Sequence, residues 1–204
     1  MNLLPRLAIQ ELLQRPRLAL DPVALGIDVL STGGQKWLCS PWGSGFVYLG
    51  ERVRRDLRPP LPSWLAFRST QRMDSLLSYD PTLLDDARRY ELHTLGLQDM
   101  IGLAESVELL LELGVANVRE YLLELHQPIL DWVDERDDAV AVTPEDPGGR
   151  AGILAIRLRR GTAELAEAMQ GAGLMISVRE GCIRLAPHFY TRPEDIERVM
   201  EVLH

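Results

Sequence analysis

The stretch Ser31 to Leu49, STGGQKWLCSPWGSGFVYL, constrains the fold of this chain more than any other. An apolar run (Ile27, Val29, Leu30) precedes it, and Pro41, Gly43 and Gly45 set a turn before Phe46 to Leu49, which reads as a buried strand. Between these runs lies Lys36, the only lysine in a chain whose other basic residues are arginines. Flanked by Gly33 and Gly34 on one side and Trp37 and Leu38 on the other, its ammonium is expected at the mouth of a packed core. A lysine so placed can be desolvated into a nucleophile. The bland alternative is a lysine that snorkels at a strand end.

Composition narrows the function classes. At 204 residues and 23.0 kDa the chain can bury a sizeable core, as one large domain or two small ones. A formal net charge of -8 argues against nucleic-acid and anionic-membrane surfaces. Cys39 and Cys182 are too few for a disulfide scaffold and have no metal-ligand neighbours at a recognised spacing, so no metal site is expected. The first residues lack a signal-peptide core and no apolar run is long enough to span a membrane. A soluble cytoplasmic protein is the expectation.

Taken in order, Leu3 to Leu13 suits a short amphipathic helix, loosely, and Pro16 and Pro22 interrupt regular structure after it. Residues Glu51 to Pro81 read as a long loop or link, with Trp64 and Phe67 packed on a core. Apolar spacing predicts helices over Gln98 to Leu113, closed by Gly114, and over Val118 to Arg136, with Pro128 kinking the second and both stripes facing a core. Strands are expected at Ala139 to Val142, Gly152 to Leu158, Leu174 to Val178 and Cys182 to Ala186. Helices are expected at Thr162 to Gln170, capped by Thr162, and at Pro193 to Leu203. The implied architecture is a layer of helices over a small mixed sheet.

The lysine stretch resembles the corresponding segment of the class V aminotransferase family, which are pyridoxal 5'-phosphate (PLP) enzymes of fold type I. In that family an aspartate-led strand delivers the Schiff-base lysine, and a Gly-rich turn and a strand with a late Tyr come next; Asp28, Gly43, Gly45 and Tyr48 match that order. The resemblance implies an α/β chain that is the C-terminal part of a PLP-dependent transferase fold. Residues 1–95 would be a remnant of the large PLP-binding domain and 96–204 the small domain. It nominates Lys36 as the catalytic and cofactor-bearing residue. Gln35 stands where relatives carry a cofactor-contacting histidine, and Gly33 where many carry a phosphate-binding serine.

Family members also carry an Asp-x-x-Gln pair ahead of the lysine strand, and two alignments compete for it. Leu7 to Gln10 keeps the glutamine without the acid, whereas Glu11 to Gln14 keeps an acid as glutamate. Asp86 to Thr94, DARRYELHT, resembles the segment whose threonine reaches the partner subunit's cofactor phosphate, which nominates Thr94; an ordinary surface ion pair between Arg89 and Glu91 is the alternative there, and His93 replaces the usual glycine. Ser177 to Tyr190 resembles the strand that presents an arginine to the substrate α-carboxylate, which nominates Arg184 against the alternative of a solvated strand face. Desulfurases of the family carry their sulfur-accepting cysteine on a long loop before that arginine. Only Glu180 and Gly181 precede Cys182 here, so Cys182 is expected to be a buried strand residue, and the aminotransferase, lyase or epimerase branches are favoured. The expected partners are an amino-acid substrate and either a second copy in a homodimer or a complementary N-terminal half, because the phosphate-cradling loop of the family has no counterpart in this sequence. A catalytically inactive relic or oligomerisation module is the alternative.

Overall fold

A computed structural model describes residues 7–9, 21–72, 74, 77 and 80–204. They fall into two compact units, with the boundary between Leu110 and Leu111, inside a helix.

In the first unit, strands β1 (Leu7–Ile9), β2 (Val29–Gly33) and β3 (Gly45–Leu49) form a sheet in that order. Strand β1 runs parallel to β2, with Leu7 beside Val29, and β3 runs antiparallel to it, with Gly33 opposite Gly45. The helix expected over Leu3 to Leu13 is therefore corrected at Leu7–Ile9, whose backbone is a strand. The rest of that segment, including Gln10 and the alternative pair Glu11 to Gln14, lies outside the described residues. Strand β3 is not buried as expected: Phe46 and Val47 are about half exposed, at 47% and 50%.

The loop expected from Glu51 holds helix α1 (Glu51–Asp56) and short 3-10 turns at Trp64–Ala66 and Arg68–Gln71. Asp28 anchors α1, accepting from Arg52 Nη2 at 2.7 Å and Nε at 3.1 Å in a bidentate pair. Trp64 is exposed rather than packed on a core. Helix α2 (Leu97–Leu113) forms as the spacing predicts, but its apolar stripe is only partly core. Leu103 and Leu110 are buried, whereas Ile101 and Leu111 are exposed.

The second unit is built on helix α3 (Val115–Asp134), which continues through Pro128 and buries Val118, Leu122, Leu125, His126, Ile129, Leu130, Trp132 and Val133. Strands β4 (Ala139–Ala141), β5 (Leu154–Leu158), β6 (Ser177–Arg179) and β7 (Cys182–Leu185) form a sheet in the order β4-β5-β7-β6. Every pair in it is antiparallel, so the sheet is not mixed. Helix α4 (Thr162–Gly171) is capped at Gly161 without a side-chain bond. Thr162 spends its hydroxyl on Leu158 instead, donating to its carbonyl and accepting from its N–H. Helix α5 (Pro193–Leu203) begins with proline in its first turn, as the sequence dictates. Leu154, Ile156 and Ile183 from the sheet, Ile129 from α3 and Met169 from α4 are almost wholly buried and form the centre of this core.

His126 lies fully inside that core. Burial, reinforced by the charge of Arg150, lowers its pKa from 6.5 to about 4, so the ring is neutral near pH 7. Between those two values the unfolded chain binds a proton that the folded chain refuses. The stability involved is complete above pH 6.5 and falls by about 3 kcal/mol as the pH drops through 4. Urea unfolding of wild type between pH 7 and pH 4 should show this loss, and His126→Gln should remove that part of the slope.

Candidate functional site

Lys36 is carried by the loop 34–44, which joins β2 to β3 above the Gly33–Gly45 closure. The loop is tied across itself. Gly34 N–H donates to the Ser44 carbonyl at 2.8 Å, Ser40 N–H to the Gly34 carbonyl at 3.0 Å and Cys39 N–H to the Lys36 carbonyl at 3.1 Å. The buried hydroxyls of Ser40 and Ser44 bond to each other, and Ser44 Oγ also donates to the Pro41 carbonyl at 2.6 Å. Helix α2 braces the same loop from outside. Ser106 Oγ reaches the Cys39 carbonyl at 3.2 Å, Leu103 packs against Gly34, and Gly102 leaves room for the Pro41 ring.

Within this frame Lys36 is exposed, and its side chain makes no hydrogen bond or ion pair among the described residues. Its exposure corrects the expectation that the chain's own core desolvates the amine. Gln35 is half-buried, with its amide folded over Gly33. Cys39, three residues on, adopts a positive φ of 54°. Partial burial raises its thiol pKa above the ordinary value, which keeps it protonated and a weak competitor to the amine.

Thr94 is in the same unit, exposed, on the segment ahead of α2, where its carbonyl meets His93 Nδ1 at 2.9 Å. The surface ion pair weighed for Arg89 and Glu91 does not form: Arg89 Nη1 donates to the Arg54 carbonyl at 2.9 Å, while the Glu91 carbonyl accepts from Ser63. Arg184 stands in the second unit, half-buried on β7 and paired across the sheet with Ala155 and Ser177. Its guanidinium likewise has no protein acceptor among the described residues. Strands β6 and β7 are joined by Glu180 and Gly181, both at positive φ, and Cys182 is a buried strand residue, as the short spacing implies.

The structure thus joins Lys36 and Gln35 on one braced loop. The braces themselves, Ser40, Ser44 and Ser106, escape a motif reading. Their signal is small polar residues in otherwise apolar surroundings, with Ser106 interrupting the stripe of α2.

The family model for class V aminotransferases matches residues 13–199. The chain belongs to that family. An isopenicillin N epimerase of Streptomyces clavuligerus is 27% identical over 202 residues, covering 91% of this chain and 49% of the relative. An uncharacterized aminotransferase, YcbU of Bacillus subtilis, is 25% identical over 182 residues, covering 89% and 46%. Among solved structures, the apo cysteine desulfurase of Thermococcus onnurineus superposes with a TM-score of 0.77 at 20% identity, covering 97% of this chain and 50% of that one. The cystine C-S lyase C-DES with its product cysteine persulfide gives 0.75 at 17%, covering 92% and 49%. At such identities the likeness is one of fold, and the architecture is that of a PLP-dependent transferase in part. The chain spans about half the length of the curated relatives it matches.

Gly45 is where the class V lysine loop is least forgiving. A Cβ there would press on the backbone carbonyl of Thr32, which cannot swing aside as a side chain can. Gly45→Ala should cost about 1–3 kcal/mol and speed amide exchange across the loop 34–44, measured by urea unfolding and by hydrogen exchange.

Proposed function

We propose that this chain is the lysine-bearing part of a PLP-dependent enzyme that acts on an amino acid, completed by a polypeptide supplying the remaining half. The observation that carries the reading is the chain's one lysine, without an ion pair among the described residues, on a loop pinned to a sheet and a helix. The donor set fits the group at its aldehyde end, because an uncommitted amine is what condenses with an aldehyde. The Gln35 amide and the Thr94 hydroxyl are neutral donors suited to the phosphate, and Arg184 offers an uncommitted planar fork to a substrate carboxylate. When bound, PLP supplies an electron sink for bonds at the substrate α-carbon. The chain's own part is to hold that cofactor through Lys36, to move a proton with the same amine, and to orient the carboxylate at Arg184.

Two further observations support the need for a complement. Helix α2 exposes Leu97, Ile101, Leu109 and Leu111, an apolar load that a finished fold would cover. Lys36 is likewise exposed, so whatever desolvates it belongs to another surface. The two-residue turn before Cys182 supports the aminotransferase, lyase and epimerase branches over a desulfurase. One observation favours an inactive relic. Leu7, on β1 beside β2, is where one alignment places the aspartate of the family's Asp-x-x-Gln pair.

Borohydride reduction in the presence of PLP separates these readings. A single pyridoxyl adduct on Lys36 is expected by mass spectrometry, abolished in Lys36→Ala. The PLP concentration that gives half-maximal adduct should fall about tenfold when a polypeptide carrying a PLP-binding large domain is added, a gain of ~1.4 kcal/mol. No adduct under either condition selects the relic.

A further inference from the structure

The second unit carries a groove of about 650 Å³ between α3 and α5, remote in sequence from the lysine loop. Leu125, Pro128, Ile196 and Met200 supply its apolar floor, and Glu124, Glu197 and Glu201 its rim. Tyr121, Pro193 and His204 complete the lining, and no arginine among the described residues joins it. Pro128 has no N–H, so the Glu124 carbonyl loses its intrahelical donor. The last turn of α5, with Glu201, adds the negative end of a helix. The carboxylates of Glu124, Glu197 and Glu201 outnumber the one imidazole in the lining, His204, so the charge of the rim favours a partner that brings cations.

The walls decide the partner's backbone. Both are helices, so the groove offers no sheet edge for an added strand. Its floor residues recur at helical spacing, Leu125 with Pro128 and Ile196 with Met200, forming ridges that accept another helix. We propose that this groove docks an amphipathic helix of a separate polypeptide, with an aliphatic stripe flanked by arginine or lysine.

The probe is a fluorescein-labelled helical peptide with leucines at i, i+3, i+4 and i+7 and arginines on both flanks, titrated by anisotropy against the full chain. Saturable binding is expected. The double variant Glu197→Lys, Glu201→Lys should weaken it at least about tenfold, and should bind a glutamate-flanked version of the peptide better than wild type does. Met200→Arg should weaken the arginine peptide similarly by charging the floor. Reversal of two exposed acids on α2, Glu105→Lys and Glu108→Lys, should leave binding within about twofold. Equal weakening by the α2 pair would overturn the proposal, since general attraction to a chain of net charge -8 would then explain the binding. So would self-association in sedimentation that the groove variants abolish, because the occupant would then be a second copy.

Discussion

The closure of β2 on β3 at Gly33 and Gly45 is the constraint on which the rest of the first unit depends. Gly45 is set by approach rather than by turn geometry, since its backbone lies against the Thr32 carbonyl, whereas Gly33 meets only the end of the Gln35 side chain, which can swing aside. Above that closure the loop 34–44 must be ordered against a conformational cost of about 1–2 kcal/mol per residue. Each hydrogen bond across it returns only about 0.5–1.5 kcal/mol net, and such bonds are fewer than the residues they order. Internal bonding is therefore insufficient, and packing from α2 supplies the difference. Leu103 on Gly34, the Pro41 ring on Gly102 and the Ser106 hydroxyl at the Cys39 carbonyl come from one face of one helix.

The same face explains why α2 is apolar on more than one side. The buried positions Leu103 and Leu110 serve the chain's own packing, whereas Leu97, Ile101, Leu109 and Leu111 are exposed.

Periodicity makes the second unit legible because its elements bury one face against neighbours close in sequence. Helix α5 is readable to the residue, since Pro193 can only open it and Ile196, Val199 and Leu203 repeat at helical spacing. Pattern misleads where chemistry competes with it. Thr162 has the side chain of a cap but bonds back to Leu158, and the strand expected from Leu174 begins only at Ser177. In the first unit, apolar composition points to burial at Phe46, Val47 and Trp64, yet all three are exposed. Lys36 and Gln35 are legible from the glycines that flank them. Exposure is not, because burial at a loop depends on contacts that no local pattern records.

Lys36 and Arg184 lie on well-packed scaffolds and have no acceptor among the described residues, as is also true of the buried Nε and Nη1 of Arg150. Other basic side chains show that acceptors are plentiful: Arg52 engages Asp28, Arg68 engages Asp85 and Arg136 engages Asp138. A surface ion pair is worth under about 1 kcal/mol, so stability alone exerts little pressure either to form or to avoid one. The backbone beneath Lys36 is a turn tied to a sheet, and that beneath Arg184 is a central strand. Rigid placement of an unneutralised charge contributes nothing to folding. It contributes to binding, because a ligand that meets a fixed donor does not have to order it.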